Sequence, residues 1–324
     1  MTIPGPVHLH EKVSIGMGAY GGAEMTEMAV QCLLGATTGD YELILVDNGS
    51  PDSTLEVFKR AAREHANTKI IHFPQNQEYV VCVNAILSHA QGERVIFLSN
   101  DYLTTPSWFK GILQSFEMDP TVGISCGTSN YCDNGGNPSR NLVNMNFSFA
   151  DSDELFIFAD GVAKAFAQRS LLDEPYFPGD GFGVRRELLD VIGTFDTNFV
   201  GYMGDFDFAV RCKKAGYRVV ANQAAFAFHI VGGGVAHLST AEQQARLDER
   251  FARARVAVNR FIDKYGLADV HPYVTELAPV SGLAELEYDA VQRARAEQLF
   301  VAPADYSKFI YRDSPGSENR TSSR

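Results

Sequence analysis

The chain has 324 residues, 45% apolar and 21% charged, with a formal net charge of −12. That length can bury a substantial core, and the acidic balance excludes a protein that tracks DNA or RNA phosphates with a basic face. No run of about 18 apolar residues occurs, so no spanning helix is expected. Residues 1–12 lack the basic start and apolar core of a secretion signal. Five cysteines, an odd number without CxxC spacing, fit a reduced compartment. The expected location is cytoplasmic, at the inner face of a membrane if peripheral contact occurs.

Strand-like and helix-like patterns alternate over the first 130 residues, the signature of βαβ units and a mostly parallel sheet. Val13 to Met17 predicts a strand, and Met25, Met28, Ala29, Cys32 and Leu33 the apolar face of a helix. Glu42 to Val46 is the second strand, followed by a helix carrying Leu55, Phe58 and Ala62. Lys69 to Phe73 and Glu78 to Ala90 form the third pair, and Arg94 to Leu98 and Trp108 to Met118 the fourth. Val122 to Cys126 is the fifth strand.

Polar clusters follow four of these strands. They are Gly18-Ala19-Tyr20-Gly21-Gly22, Asp47-Asn48-Gly49-Ser50-Pro51-Asp52, Pro74-Gln75-Asn76-Gln77 and Ser99-Asn100-Asp101. In a parallel sheet all four lie outside the carboxyl ends of the strands, where open α/β sheets bind ligands.

Residues 130–181 lose the rhythm and read as loops and short strands that shape an acceptor site. Val184 to Ile192 is regular again, and a helix follows from about Asp205 to Ala215, ended by Gly216. Tyr217 to Ala221 predicts another strand. Ser239-Thr240-Ala241-Glu242 has capping-box spacing and opens a long helix to Tyr265. A further helix is expected over 283–299, and 313–324 has the composition of a disordered tail. The expected division is an N-terminal extension (1–12), a first α/β half carrying the strand-end clusters (13–130), a second half (131–238), a helical extension (239–312) and the tail (313–324).

Val46-Asp47-Asn48-Gly49-Ser50-Pro51-Asp52-Ser53-Thr54 resembles the second-strand motif of family 2 glycosyltransferases, which have the GT-A fold. Asn76, Asn84, Ala90-Gln91-Gly92-Glu93 and Phe97-Leu98-Ser99-Asn100-Asp101 continue the family pattern in order. So do Gly193-Thr194-Phe195-Asp196, Gly204-Asp205-Phe206-Asp207-Phe208, Arg211 and Ala215-Gly216-Tyr217. Asn259 to Gly266 is similar to rhamnosyltransferase-like members.

The resemblance covers about 13–266. It implies an α/β fold of GT-A type, a Rossmann-like twisted, mostly parallel sheet flanked by helices, with a C-terminal helical extension. It also implies transfer of a sugar from a UDP- or dTDP-type donor to a hydroxyl on a glycan or lipid-linked acceptor, in surface glycan or polysaccharide synthesis. A divalent metal, Mn²⁺ or Mg²⁺, is the implied cofactor. The oligomeric state is left open.

The resemblance gives the residues their roles. Ala19, Tyr20, Asp47, Asn76, Asn84, Asn100 and Asp101 are donor-binding candidates, Asp47 by accepting a pyrimidine N–H. Asp47 also reads as a turn residue, and Asn76 and Asn84 as caps or surface amides. Asp101 stands in the family's DxD-type position, with Ser99 where many members have the first acid. Its carboxylate suits a hard cation that stabilises a departing diphosphate. His229 is the second metal candidate, against a core histidine.

Asp205 is the candidate base, with Gly204 in place of the family's Glu, against a helix-dipole role. Asp207 and Gly181 are assigned to the acceptor side or behind it. One base and no nucleophile imply inversion at the anomeric carbon. A non-catalytic nucleotide- or carbohydrate-binding homologue and a nucleotidyltransferase are the rival readings.

Overall fold

The computed structural model describes residues 2–10, 12–130, 148–167, 171–230, 240–266, 290, 292–293 and 299–312. The first half contains β1 (Val7–Leu9), β2 (Val13–Ala19), α1 (Ala23–Ala36), β3 (Thr37–Gly39), β4 (Glu42–Asp47) and α2 (Thr54–Glu64). β5 (Thr68–His72), α3 (Glu78–His89), β6 (Arg94–Ser99), β7 (Tyr102–Leu103), α4 (Pro106–Met118) and β8 (Val122–Ser129) follow. The second half adds α5 (Ser152–Phe166), β9 (Leu172–Asp173), β10 (Gly181–Arg185), α6 (Arg186–Ile192), α7 (Gly204–Lys214), β11 (Arg218–His229) and α8 (Thr240–Tyr265).

One nine-stranded sheet has the order β5-β4-β2-β6-β10-β8-β11-β7, with β9 also on β11, while β1 and β3 pair separately. β5, β4, β2 and β6 are parallel neighbours, and β8 and β11 are parallel to each other. β10 enters antiparallel between β6 and β8, and β7 and β9 run antiparallel to β11. This is the expected GT-A architecture, a mixed sheet with six of its nine strands running one way.

Strand side chains alternate between two cores, as pleating requires. Val95 and Phe97 of β6 join α3, α6, α7 and α8 on one face, and Ile96 and Leu98 join α1, α2, α4 and α5 on the other. Strands buried on both faces read as continuous apolar runs, which is why they were legible.

Three differences are local. Residues 152–166 form a helix where loops and short strands were expected. Asp151 accepts the Glu154 N–H and Glu154 reaches back to the Ala150 N–H, so these two acids cap the helix. α1 turns Thr26, Ala29, Val30, Cys32 and Leu33 inward and leaves Met28 exposed, and Asn100 donates to the inward Thr26 hydroxyl. β11 continues past Ala221 through buried Asn222 and Gln223, with a register shift there. Ser239 of the expected capping box, His237, Gly232 to Gly234 and Cys132 lie outside the described residues, as do most of 283–299 and all of 313–324.

Candidate functional site

Strand register aligns the polar clusters. Ala19 is opposite Asp47, Asp47 opposite His72, and Gly18 opposite Ser99, so four strand ends form one edge. The turn after β4 is tied to its neighbours. Asp47 Oδ1 accepts the Ser50 N–H at 3.1 Å, and the Ser50 hydroxyl accepts the Gly21 N–H at 2.9 Å. Asp52 accepts the N–H groups of Ala23 and Thr54. Gly49 has φ +76° and sits against Gln75, where a Cβ would lie 2.4 Å from a carbonyl carbon, so only glycine fits. Tyr20 stands exposed beside this turn.

Asp47 is fully buried, and its Oδ2 lies 2.7 Å from His72 Nδ1. Asn76 accepts from Asn48 and from the Glu78 N–H, which shapes the start of α3. Asn84 is buried deeper in α3, and its amide exchanges two 2.8 Å hydrogen bonds with the Phe195 peptide. Asn76 and Asn84 therefore hold loops, and Asn84 lies off the strand edge.

The second half of the edge carries Asp101 and His229. Asn100 donates to Gly21 O and to Thr26, and the Ser99 hydroxyl donates to Asp101 Oδ1. The short β7 pairs Tyr102 with His229, and the Ile230 N–H bonds Asp101 O, which brings His229 beside Asp101. His229 Nε2 is 3.4 Å from Asp101 Oδ2 and its Nδ1 is 3.6 Å from Asp180 Oδ2. The His229 backbone is held on both sides by the Asn130 amide. Burial opposes ionisation of Asp101, but His229 and Ser99 more than offset it and keep the carboxyl below its usual range.

Asp180 was not singled out from sequence. It precedes β10, whose antiparallel entry lets Asp180 O accept the Ser99 N–H at 2.8 Å. The signal available was Pro178-Gly179-Asp180-Gly181 ahead of an apolar strand. Gly181 itself packs on the Tyr102 ring, where a Cβ would lie 2.4 Å away.

Asp205 and Asp207 separate. Asp205 is half-buried at the start of α7, after Met203 in the left-handed region at φ 66°. The Tyr79 hydroxyl donates to Gly179 O at 2.7 Å. Burial, then the negative charges of Asp205 and Asp180, push this phenol well above its usual pKa. Asp205 thus shares a neighbourhood with Asp180. Asp207 is fully buried and accepts from Arg211, Lys264 and Tyr265 at 2.8, 2.5 and 2.8 Å.

The profile described as Glycosyl transferase family 2 matches residues 14–193, more than half of the chain. The chain belongs to glycosyltransferase family 2. An uncharacterised glycosyltransferase of Nostoc sp. is 24% identical over 260 residues, covering 79% of this chain and 77% of the relative. Among solved structures, a mannosyltransferase of Pyrobaculum calidifontis, in complex with GDP-Man and Mn²⁺, superposes with TM-score 0.53 at 20% identity. It covers 87% of this chain and 72% of its own. GalNAc-T7 with UDP, GalNAc and Mn²⁺ gives TM-score 0.53 at 13% identity, over 86% of this chain and 55% of that one. These likenesses show the GT-A fold. Among the described residues of this family 2 glycosyltransferase, no helix is long and apolar enough to cross a membrane.

Proposed function

We propose that this glycosyltransferase moves a sugar from a uridine- or thymidine-diphosphate donor to an acceptor hydroxyl, with inversion, assisted by a divalent cation. The observation that carries the reading is the Asp101–His229 pair at the carboxyl edge of the parallel strands. One carboxylate and one imidazole 3.4 Å apart suit two neighbouring ligands of one cation about 2.1 Å from each. Among the described residues no third His, Cys, Asp or Glu completes a metal cage with them. Such an open half-site leaves positions for diphosphate oxygens. The bound cation would supply charge stabilisation for the leaving diphosphate. Mn²⁺ accompanies the nucleotide or nucleotide sugar in both structural neighbours, which supports the same requirement here.

The chain's own groups do the rest in this reading. Ser99, in the place of an acid, orients Asp101 by donating to it, and Asp180 stands on the other side of the His229 ring. Asp205 takes the proton of the acceptor hydroxyl. Ala19 and Tyr20 line the nucleoside end, and Asn100 holds the loop between nucleoside and diphosphate. Asn84 and Asp207 act as internal ties. A glycan or lipid-linked acceptor, and a role in surface glycan synthesis, complete the proposal. A cytoplasmic setting and a rhamnosyltransferase-like subtype are proposed with it.

A panel of nucleoside diphosphates with Mn²⁺, read by thermal shift, tests the donor. UDP or dTDP should stabilise the chain more than ADP or GDP, since a ligand that binds only the folded state raises apparent stability. Equal stabilisation by all four removes base reading. Full transfer in chelator removes the metal.

A further inference from the structure

We propose that Asp180 is a positioning residue for the cation site, acting on the metal through the His229 imidazole. The proposal rests on the metal reading above and adds to it a carboxylate that the sequence motifs did not single out. The His229 ring lies between two acids. Asp101 Oδ2 is 3.4 Å from its Nε2, and Asp180 Oδ2 is 3.6 Å from its Nδ1. The His229 side chain is 5% exposed, against 30% for Asp101 and 27% for Asp180, so the ring is enclosed while both carboxylates still meet solvent. The Tyr102 ring packs beside it, 6.2 Å from centroid to centroid.

The backbone that carries Asp180 is fixed on both sides. The Tyr79 hydroxyl donates to Gly179 O at 2.7 Å, and the Ser99 N–H to Asp180 O at 2.8 Å. Gly181 lies against Tyr102, where a Cβ would come within 2.4 Å of the ring. Because Gly181 pairs with Leu98, Asp180 is the cross-strand neighbour of Ser99, whose hydroxyl donates to Asp101. The antiparallel β6 and β10 thus bring one carboxylate to each nitrogen of the ring. A neutral imidazole that binds a cation through Nε2 keeps its proton on Nδ1, since each nitrogen has one in-plane bonding position. A carboxylate beside Nδ1 favours that form, holds the ring's orientation and strengthens Nε2 as a ligand. Asp101 then meets the cation directly, and Asp180 acts by its charge on the other nitrogen.

The test is Mn²⁺ binding by the full chain, followed by electron paramagnetic resonance. It compares the native protein with Asp180→Ala, Asp180→Asn, His229→Ala and the variant that combines Asp180→Ala with His229→Ala. A melting curve establishes that each is folded. Asp180→Ala should weaken Mn²⁺ binding about 10–100-fold, the usual effect of losing a partner behind a metal ligand. Asp180→Asn keeps an oxygen acceptor without the charge and should fall between Asp180→Ala and native. The combined variant should lose no more than His229→Ala alone, because a residue that acts through the ring has nothing left to act on. Unchanged Mn²⁺ affinity in folded Asp180→Ala overturns the proposal and leaves the metal reading standing. Additive losses overturn it too, since Asp180 would then meet the cation without the imidazole. No Mn²⁺ bound by the native chain removes the metal reading and this proposal with it. If neither Asp180 variant folds, Asp180 is a structural residue and the proposal falls.

Discussion

Asp205 and Asp207 lie two residues apart in the first turn of α7, and the sequence offers each the same dipole-complementing role. Their surroundings differ because Lys264 and Tyr265, 57 and 58 positions further on, reach Asp207 alone. Long-range partners of that kind are invisible to local pattern. Asp205→Asn should leave folding and donor binding intact and slow transfer by about 10²–10⁴-fold, as loss of a general base does. Asp207→Asn should instead lower stability by about 3–5 kcal/mol, the cost of breaking a buried pair from one side. Urea unfolding and turnover, measured on both variants, separate the roles. A stable Asp207→Asn with no activity, beside an active Asp205→Asn, would exchange them. At the proposed metal pair, Asp101→Ala should abolish the response of activity to Mn²⁺. His229→Ala should weaken Mn²⁺ binding measured by electron paramagnetic resonance. Unaltered Mn²⁺ binding in His229→Ala would reduce the imidazole to a core group.

At the level of elements, the parallel half of the sheet was readable because each strand is a short apolar run closed by polar turn residues. The same turns placed Asp47, Asn100 and Asp101 at one edge. The antiparallel entry of β10 was not readable, since GFGVR carries no mark of direction, and with it went Asp180. α5 announced itself only through Asp151 and Glu154, whose capping pattern was available but unused. The start of β11 shows how such elements are pinned. Arg218 bridges Asp119, at the end of α4, and Asp173 of β9 at 2.6 and 2.7 Å. Thr121, through its hydroxyl and its N–H, and then Arg218 hold the Asp119 carboxyl down at about 2. The unfolded value is about 3.9. A depressed folded value means stability that is present above about pH 4 and lost as pH falls toward 2. The melting-temperature gap between native protein and Asp119→Asn should therefore narrow below about pH 4.5. A gap that stays constant down to pH 3 would mean that the carboxylate charge contributes nothing.

Across the whole molecule, a buried polar knot ties the C-terminal elements to α6 and α7. Arg211, fully buried, donates to Asp207, Ile192 O, Thr194 O and Leu299 O. Val301 continues the tie, its N–H bonding Ile192 O and its carbonyl accepting the Thr194 N–H. Gly193, at φ +72°, leaves no room for a Cβ beside Val301 O. α8 joins through Lys264, whose ammonium lies 2.8 Å from Asp196 and 2.5 Å from Asp207. Burial works against Asp196, but Lys264 and the Asn198 N–H outweigh it and keep this carboxyl below its usual range. Lys264→Met preserves the bulk of the stem while leaving two carboxylates short of a cation. The expected loss is about 1.5–3 kcal/mol, the scale of a hydrogen bond to a charged group, and no change in unfolding midpoint would dismiss the contact. Because Asp207 is shared, the effect should spread. Amide exchange should quicken in α8 and also in residues 299–301, which Lys264 does not touch. Faster exchange confined to α8 would mean that the knot is two separate contacts, and that residues 299–301 are held independently of Lys264.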